Sequence, residues 1–118
     1  AIVMPNLKPP VTTTAPARAY HDRIVAALPP DCTFRPLMTL YLTDNTPPDE
    51  IDRARADGCV QAVKYYPAGA TTNSDSGVTA LERCHATLAR MEELDVPFLL
   101  HGEVTDPHVD VFDREAAF

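Results

Sequence analysis

Apolar positions along the chain switch repeatedly between two spacings. Four short runs read as strands: Ala1–Asn6 (AIVMPN), Leu37–Thr43 (LMTLYLT), Val60–Tyr66 (VQAVKYY) and Pro97–His101 (PFLLH). Between them the spacing becomes helical. Tyr20, Ile24, Ala27 and Leu28 share one stripe in a segment from Thr13 to Leu28, which Pro29 and Pro30 stop. Thr46 reads as an N-cap, with Pro47 at the first helical position and Asp49 at the third. That helix extends to about Ala56 and ends at Gly58. Thr79 and Glu82 form a capping-box pattern ahead of a stripe of Leu81, Cys84, Leu88, Met91 and Leu94. Asp110–Phe118 reads as the opening of one more helix.

The order is therefore βαβαβαβ. Strands separated by helices pair in parallel through right-handed crossovers, and such strands are apolar on both faces. Two architectures meet these conditions: an open doubly wound sheet, and part of a (β/α)8 barrel. Polar residues gather where each strand ends, at Asn6, Thr43–Asp44–Asn45, Lys64 and His101. Barrel enzymes collect side chains from successive strands at that face, whereas an open sheet binds at one crevice, so the pattern favours the barrel. The expected fold is about four consecutive parallel βα units of a barrel. Residues 1–118 form one partial domain that reads as cut at both ends.

Composition adds limits. Of 118 residues, 45% are hydrophobic and 23% charged, which is a globular balance. The net charge of −7 repels phosphate backbones and argues against a nucleic-acid partner. No apolar run approaches the roughly 20 residues of a membrane helix. The 12 prolines fall at strand ends and helix starts rather than in one linker. Cys32, Cys59 and Cys84 are widely spaced with no CxxC pair. Cys59 and Cys84 lie in apolar-patterned segments and read as small buried hydrophobes, which fits a reducing, cytoplasmic setting.

Lys64 is one of only two lysines, the other being Lys8. Strict alternation puts Val60, Ala62 and Lys64 on one strand face, and Val63 and Tyr65 on the other. Two readings stand. The stem is buried while the charge reaches solvent, or desolvation favours a neutral amine able to form a Schiff base or react with CO2 to give a carbamate. His101, at the next strand end, is a structural histidine or a metal ligand. His21 and His85 lie in helical segments and read as surface or boundary residues, and His108 carries no assignment. The connection Gly69–Gly77 (GATTNSDSG) lacks the P-loop signature. It is a solvent loop, or a mobile lid whose threonines reach a small polar ligand. Asp106, Asp110 and Asp113 read as solvated capping residues.

Several strings then line up with one family: IVMPNLKPPVTT at 2–13, PLMTLYLTDNT at 36–46, AVKYYPAGATTNSDSGVT at 62–79, and HGEVTD with FDREAAF at 101–106 and 112–118. Together, in order and across the whole chain, they resemble the compact, monofunctional type of dihydroorotase. The visible departure is Tyr65, where that family usually has Leu; it alternates away from Lys64.

The resemblance implies a (β/α)8 barrel with two zinc ions and reversible cyclisation of N-carbamoyl-L-aspartate to L-dihydroorotate in pyrimidine synthesis. It makes Lys64 the N6-carboxylated lysine that bridges the zincs and His101 a zinc ligand close to substrate. Asn6 becomes a partner of the substrate carboxylate, and Thr71 and Thr72 become loop threonines that close over it. It places an HxH zinc pair, another histidine ligand, the general acid/base aspartate and a substrate arginine outside these 118 residues. On that basis residues 1–118 alone are expected to be inactive and unable to hold two zincs. The whole protein is expected to be a cytoplasmic homodimer with a small-molecule substrate. The runners-up are a related cyclic amidohydrolase of the hydantoin or dihydropyrimidine type, and a non-catalytic α/β module.

Overall fold

Neighbouring strands of the sheet are neighbours in sequence. In a computed structural model covering residues 1–118, β1 (Ile2–Val3), β2 (Leu37–Tyr41), β3 (Val60–Tyr65) and β4 (Phe98–Leu100) pair in parallel in the order β1-β2-β3-β4. Between them lie α1 (Thr14–Ala26), α2 (Pro48–Asp57), a 3-10 turn at Leu81–Cys84 and α3 (His85–Glu93); α4 (Arg114–Ala117) follows β4.

One side of this sheet carries all three long helices. Met38 and Leu40 of β2, with Leu42 just after it, alternate onto one face and share a core with Val63 and Tyr65 of β3, Ala17 of α1, Ile51 and Ala54 of α2, and Cys84 and Met91. A doubly wound sheet divides its helices between two faces and reverses its strand order. Neither happens here, so the sheet is a curled half-barrel: four consecutive units of a (β/α)8 wall, with helices outside and Thr39, Tyr41, Ala62 and Lys64 on the opposite face.

Several local expectations are corrected. The first strand ends at Val3, short of Asn6; Pro5 has no N–H to continue a ladder, and its carbonyl instead accepts from Leu7 and Val11. Val60 does not share the face of Lys64. The pairing moves from Met38↔Val60 to Thr39↔Ala62, so Gln61 is an extra residue that resets the alternation and leaves Val60 in the helix-side core. The N-cap of α2 is Pro47, one residue later than expected, with Pro48 in the first turn. The Thr46 hydroxyl turns back to accept the Thr43 N–H at 2.9 Å. Gly58 closes α2 as expected, with φ 79.

The capping box at Thr79 does not form. Its N–H and hydroxyl donate to the Asp44 carboxylate at 2.8 and 2.5 Å, and the chain enters α3 through the 3-10 turn. Leu81 is consequently exposed, while Cys84 and Met91 of the expected stripe are buried. Cys59 is buried as expected. Asp106 and Asp110 accept backbone N–H bonds from His108 and Phe112 in exposed turns.

Candidate functional site

The strand ends meet around two tyrosines that the sequence reading did not single out. Tyr41 is the last residue of β2, fully buried, on the face away from the helices. Tyr66 follows β3, and their ring centres lie 5.0 Å apart. Tyr41 pairs in register with Lys64, which pairs with Leu99 of β4. This register places the Lys64 amine over the Tyr66 ring, 5.2 Å from its centre, within cation–π range. The His101 ring lies 6.4 Å from that of Tyr66, its backbone N–H held by the Tyr65 carbonyl at 3.1 Å. Lys64 and His101, predicted together, thus share one aromatic neighbour.

Burial sets the electrostatics. Lys64 is partly buried and takes part in none of the ion pairs of the chain. Loss of water pushes its amine below the usual lysine value. Burial also raises both tyrosine hydroxyls, Tyr41 to about 12, so both are neutral, and that of Tyr41 donates to the Asn73 carbonyl. His101 is not free. Its Nε2 lies 2.8 Å from Glu103 Oε2, and Arg114 reaches the same carboxylate at 3.6 Å. The hydrogen bond from His101 holds the Glu103 carboxyl below the usual carboxylate range.

Asn6 enters from beyond β1. Its Nδ2 donates to the Thr72 carbonyl at 2.9 Å, and Asn73 Nδ2 donates back to the Asn6 carbonyl at 2.9 Å. The Gly69–Gly77 loop is therefore folded onto the strand ends. Ser74 is buried inside it, donating to the Thr71 carbonyl at 2.6 Å and accepting from the Thr71 N–H at 2.8 Å. Gly77 closes the loop where no side chain fits, since a Cβ there would sit 2.5 Å from the Tyr66 carbonyl. Thr71 and Thr72 are exposed.

The donor set is limited. No group of three or more His, Cys, Asp or Glu side chains converges anywhere in the chain. His21 pairs with Asp22 at 3.0 Å and stands far along the chain from this cluster. Glu103, Tyr41, Tyr66 and Asn73 were missed by the sequence reading. The alternation of β2 carried a signal for Tyr41 alone.

Comparison with known proteins agrees with this geometry. No family model matches the chain. A dihydroorotase from Ralstonia nicotianae is 69% identical over 118 residues, covering 100% of this chain and 34% of the relative. One from Laribacter hongkongensis is 71% identical over 119 residues with the same coverage. Among solved structures, the dihydroorotase of Campylobacter jejuni superposes with a TM-score of 0.87 at 39% identity, covering 99% of this chain and 33% of that one. The dihydroorotase of Saccharomyces cerevisiae in complex with 5-fluoroorotic acid gives 0.84 at 36% identity, covering 100% and 34%. The chain spans about a third of the length of the relatives it matches. Over that whole span, in sequence and in fold, the chain is similar to about a third of a dihydroorotase.

Proposed function

We propose that the protein carrying these residues is a dihydroorotase, catalysing reversible cyclisation of N-carbamoyl-L-aspartate to L-dihydroorotate. The observation that carries the proposal is sequence identity of 69% over an alignment that spans the whole chain. The same reading makes residues 1–118 part of an amidohydrolase-type barrel domain. It also makes the protein a cytoplasmic, homodimeric enzyme of small-molecule metabolism. No helix is long and apolar enough to cross a membrane.

The residues present fit part of a metal centre. Lys64 has no acidic partner and partial burial favours its neutral form; a neutral amine reacts with CO2 with loss of a proton, and the carbamate so formed is a carboxylate able to bridge two cations. His101 can supply a second ligand. Glu103 accepts its Nε2–H, which leaves the Nδ1 lone pair available. Zinc, when bound, supplies Lewis acidity that polarises an amide carbonyl and lowers the pKa of water. Lys64 and His101 are two donors, so the remaining ligands and the general acid/base come from outside these residues.

Substrate contacts fall to the loop and to the end of β1. A substrate carboxylate needs donors, and Asn6 Nδ2 with the hydroxyls of Thr71 and Thr72 provides them. The yeast relative was solved with 5-fluoroorotic acid, a pyrimidine carboxylate that supports this class of ligand here. The test is turnover by the purified intact protein of L-dihydroorotate against dihydrouracil, which lacks the carboxylate. Preference for dihydroorotate supports the reading, and preference for dihydrouracil moves the protein to the dihydropyrimidine type.

A further inference from the structure

The Gly69–Gly77 loop is moored by hydrogen bonds to Asn6 and Tyr41 that involve no candidate metal-ligating atom. Asn6 Nδ2 donates to the Thr72 carbonyl and Asn73 Nδ2 to the Asn6 carbonyl, each at 2.9 Å, over sequence separations of 66 and 67 residues. The Tyr41 hydroxyl donates to the Asn73 carbonyl at 3.3 Å. Tyr41 is wholly buried in the sheet, so this third bond ties the loop to the rigid part of the fold. Asn73 has φ 56, the left-handed region that asparagine tolerates better than most residues with a side chain. In that conformation its amide reaches Asn6 while its carbonyl faces Tyr41.

The mooring fixes which edge of the Asn6 amide points where. A carbonyl oxygen only accepts, so the group facing Thr72 is the NH2 of Asn6. One of its two N–H bonds is spent on Thr72 and the other remains. An unmoored amide is free to turn over and present its oxygen, which repels an anion.

We propose that Asn73 and Tyr41 are positioning residues for substrate binding. They hold the Thr72 carbonyl where it orients the Asn6 amide, so that the free N–H meets the carboxylate of the substrate. A ligand bearing a carboxamide in place of that carboxylate can turn its oxygen toward the same N–H, but it brings no negative charge to the site. The inference rests on the reading of Asn6 as a carboxylate partner and assigns two residues beyond it.

The test uses the intact, zinc-loaded protein and the variants Asn73→Gly, Asn73→Ala and Tyr41→Phe. Glycine keeps the left-handed backbone and removes only the amide. Asn73→Gly is expected to raise KM for dihydroorotate about tenfold, the size of one lost hydrogen bond to a charged system, with kcat changed less than about twofold. Amide hydrogen exchange across residues 69–77 should quicken in the same variant without substrate, and Tyr41→Phe should move both readouts the same way by less. An unchanged KM, or unchanged exchange, in Asn73→Gly overturns the proposal. Impairment of Asn73→Ala alone also overturns it, because the backbone turn and not the amide would then be what matters. If the unmodified protein does not turn over dihydroorotate, the functional reading fails instead, and the exchange measurement still decides the mooring.

Discussion

The amine of Lys64 faces the ring of Tyr66 at 5.2 Å rather than a carboxylate. An acidic partner would hold the lysine charged, and the ring favours the cation only weakly, whereas loss of water leaves the amine more readily deprotonated. Lys64→Arg keeps a cation over the ring but has no amine that can form a carbamate, and Lys64→Met fills the same space without charge. On the proposed dihydroorotase reading both are expected to lower dihydroorotate turnover by more than roughly 100-fold, since loss of a mere outer partner of a metal site costs about 10–100-fold. Zinc content measured beside turnover should fall in both variants. Full zinc content with wild-type turnover would remove Lys64 from the metal site.

A second long-range contact supports the helical layer. Glu50 of α2 is buried and accepts both the N–H and the hydroxyl of Thr14, each at 2.6 Å, at the first residue of α1. The open N–H groups of a helix start attract a negative charge, so one carboxylate caps α1 and clamps it to α2. Glu50→Ala leaves a half-buried N–H without its partner and should lower unfolding free energy by about 1–3 kcal/mol. Glu50→Gln keeps an acceptor and should cost less. Chemical denaturation midpoints of the intact protein read both, and equal stability of the alanine variant would show that water replaces the cap.

Much of this architecture was legible in the chain because strands and helices differ in period. Alternation along Leu37–Tyr41 and helical spacing at Cys84 and Met91 each named the face that the core covers. Polar strand ends located Lys64 and His101 at one rim. The extra residue at Gln61 was not legible, because a bulge depends on the partner strand. Thr79 was misread for a similar reason. Its local capping pattern is sound, but the Asp44 carboxylate, 35 positions away, takes its hydroxyl first. The mooring of Asn6 by Asn73 joins residues 67 apart and leaves no local trace.

The outer face gives an acid-dependent expectation. Arg18 of α1 donates to the Asp57 carboxylate at 2.6 Å and 3.3 Å, and this bond, with the Cys59 N–H, holds the Asp57 carboxyl at about 2 against an ordinary 3.8. A carboxyl lowered in the folded state stabilises fully above its unfolded value. That stabilisation is lost as pH falls from about 3.8 through about 2. Arg18→Ala should flatten this part of the curve of Tm against pH and change stability at pH 7 little, because the pair is open to solvent. High salt should narrow the difference. A steep acid loss that persists unchanged in Arg18→Ala would assign it to other carboxylates.

His101 and Glu103 allow the sharpest test of how the rim is organised. Their side chains meet at 2.8 Å between Nε2 and Oε2, two residues apart, and Arg114 stands 3.6 Å from the other carboxylate oxygen. A carboxylate on one imidazole nitrogen fixes the tautomer and strengthens the other nitrogen as a ligand. Glu103→Ala removes that orientation without touching any candidate ligand. It should weaken zinc retention against a chelator by about 10–100-fold. Glu103→Gln still accepts the imidazole N–H but lacks the charge, and should fall between the two. Arg114→Ala, which leaves the His101 contact in place, should change retention least. If Glu103→Ala keeps wild-type zinc retention while His101→Ala loses it, Glu103 braces the backbone turn after β4 and the imidazole is oriented from elsewhere.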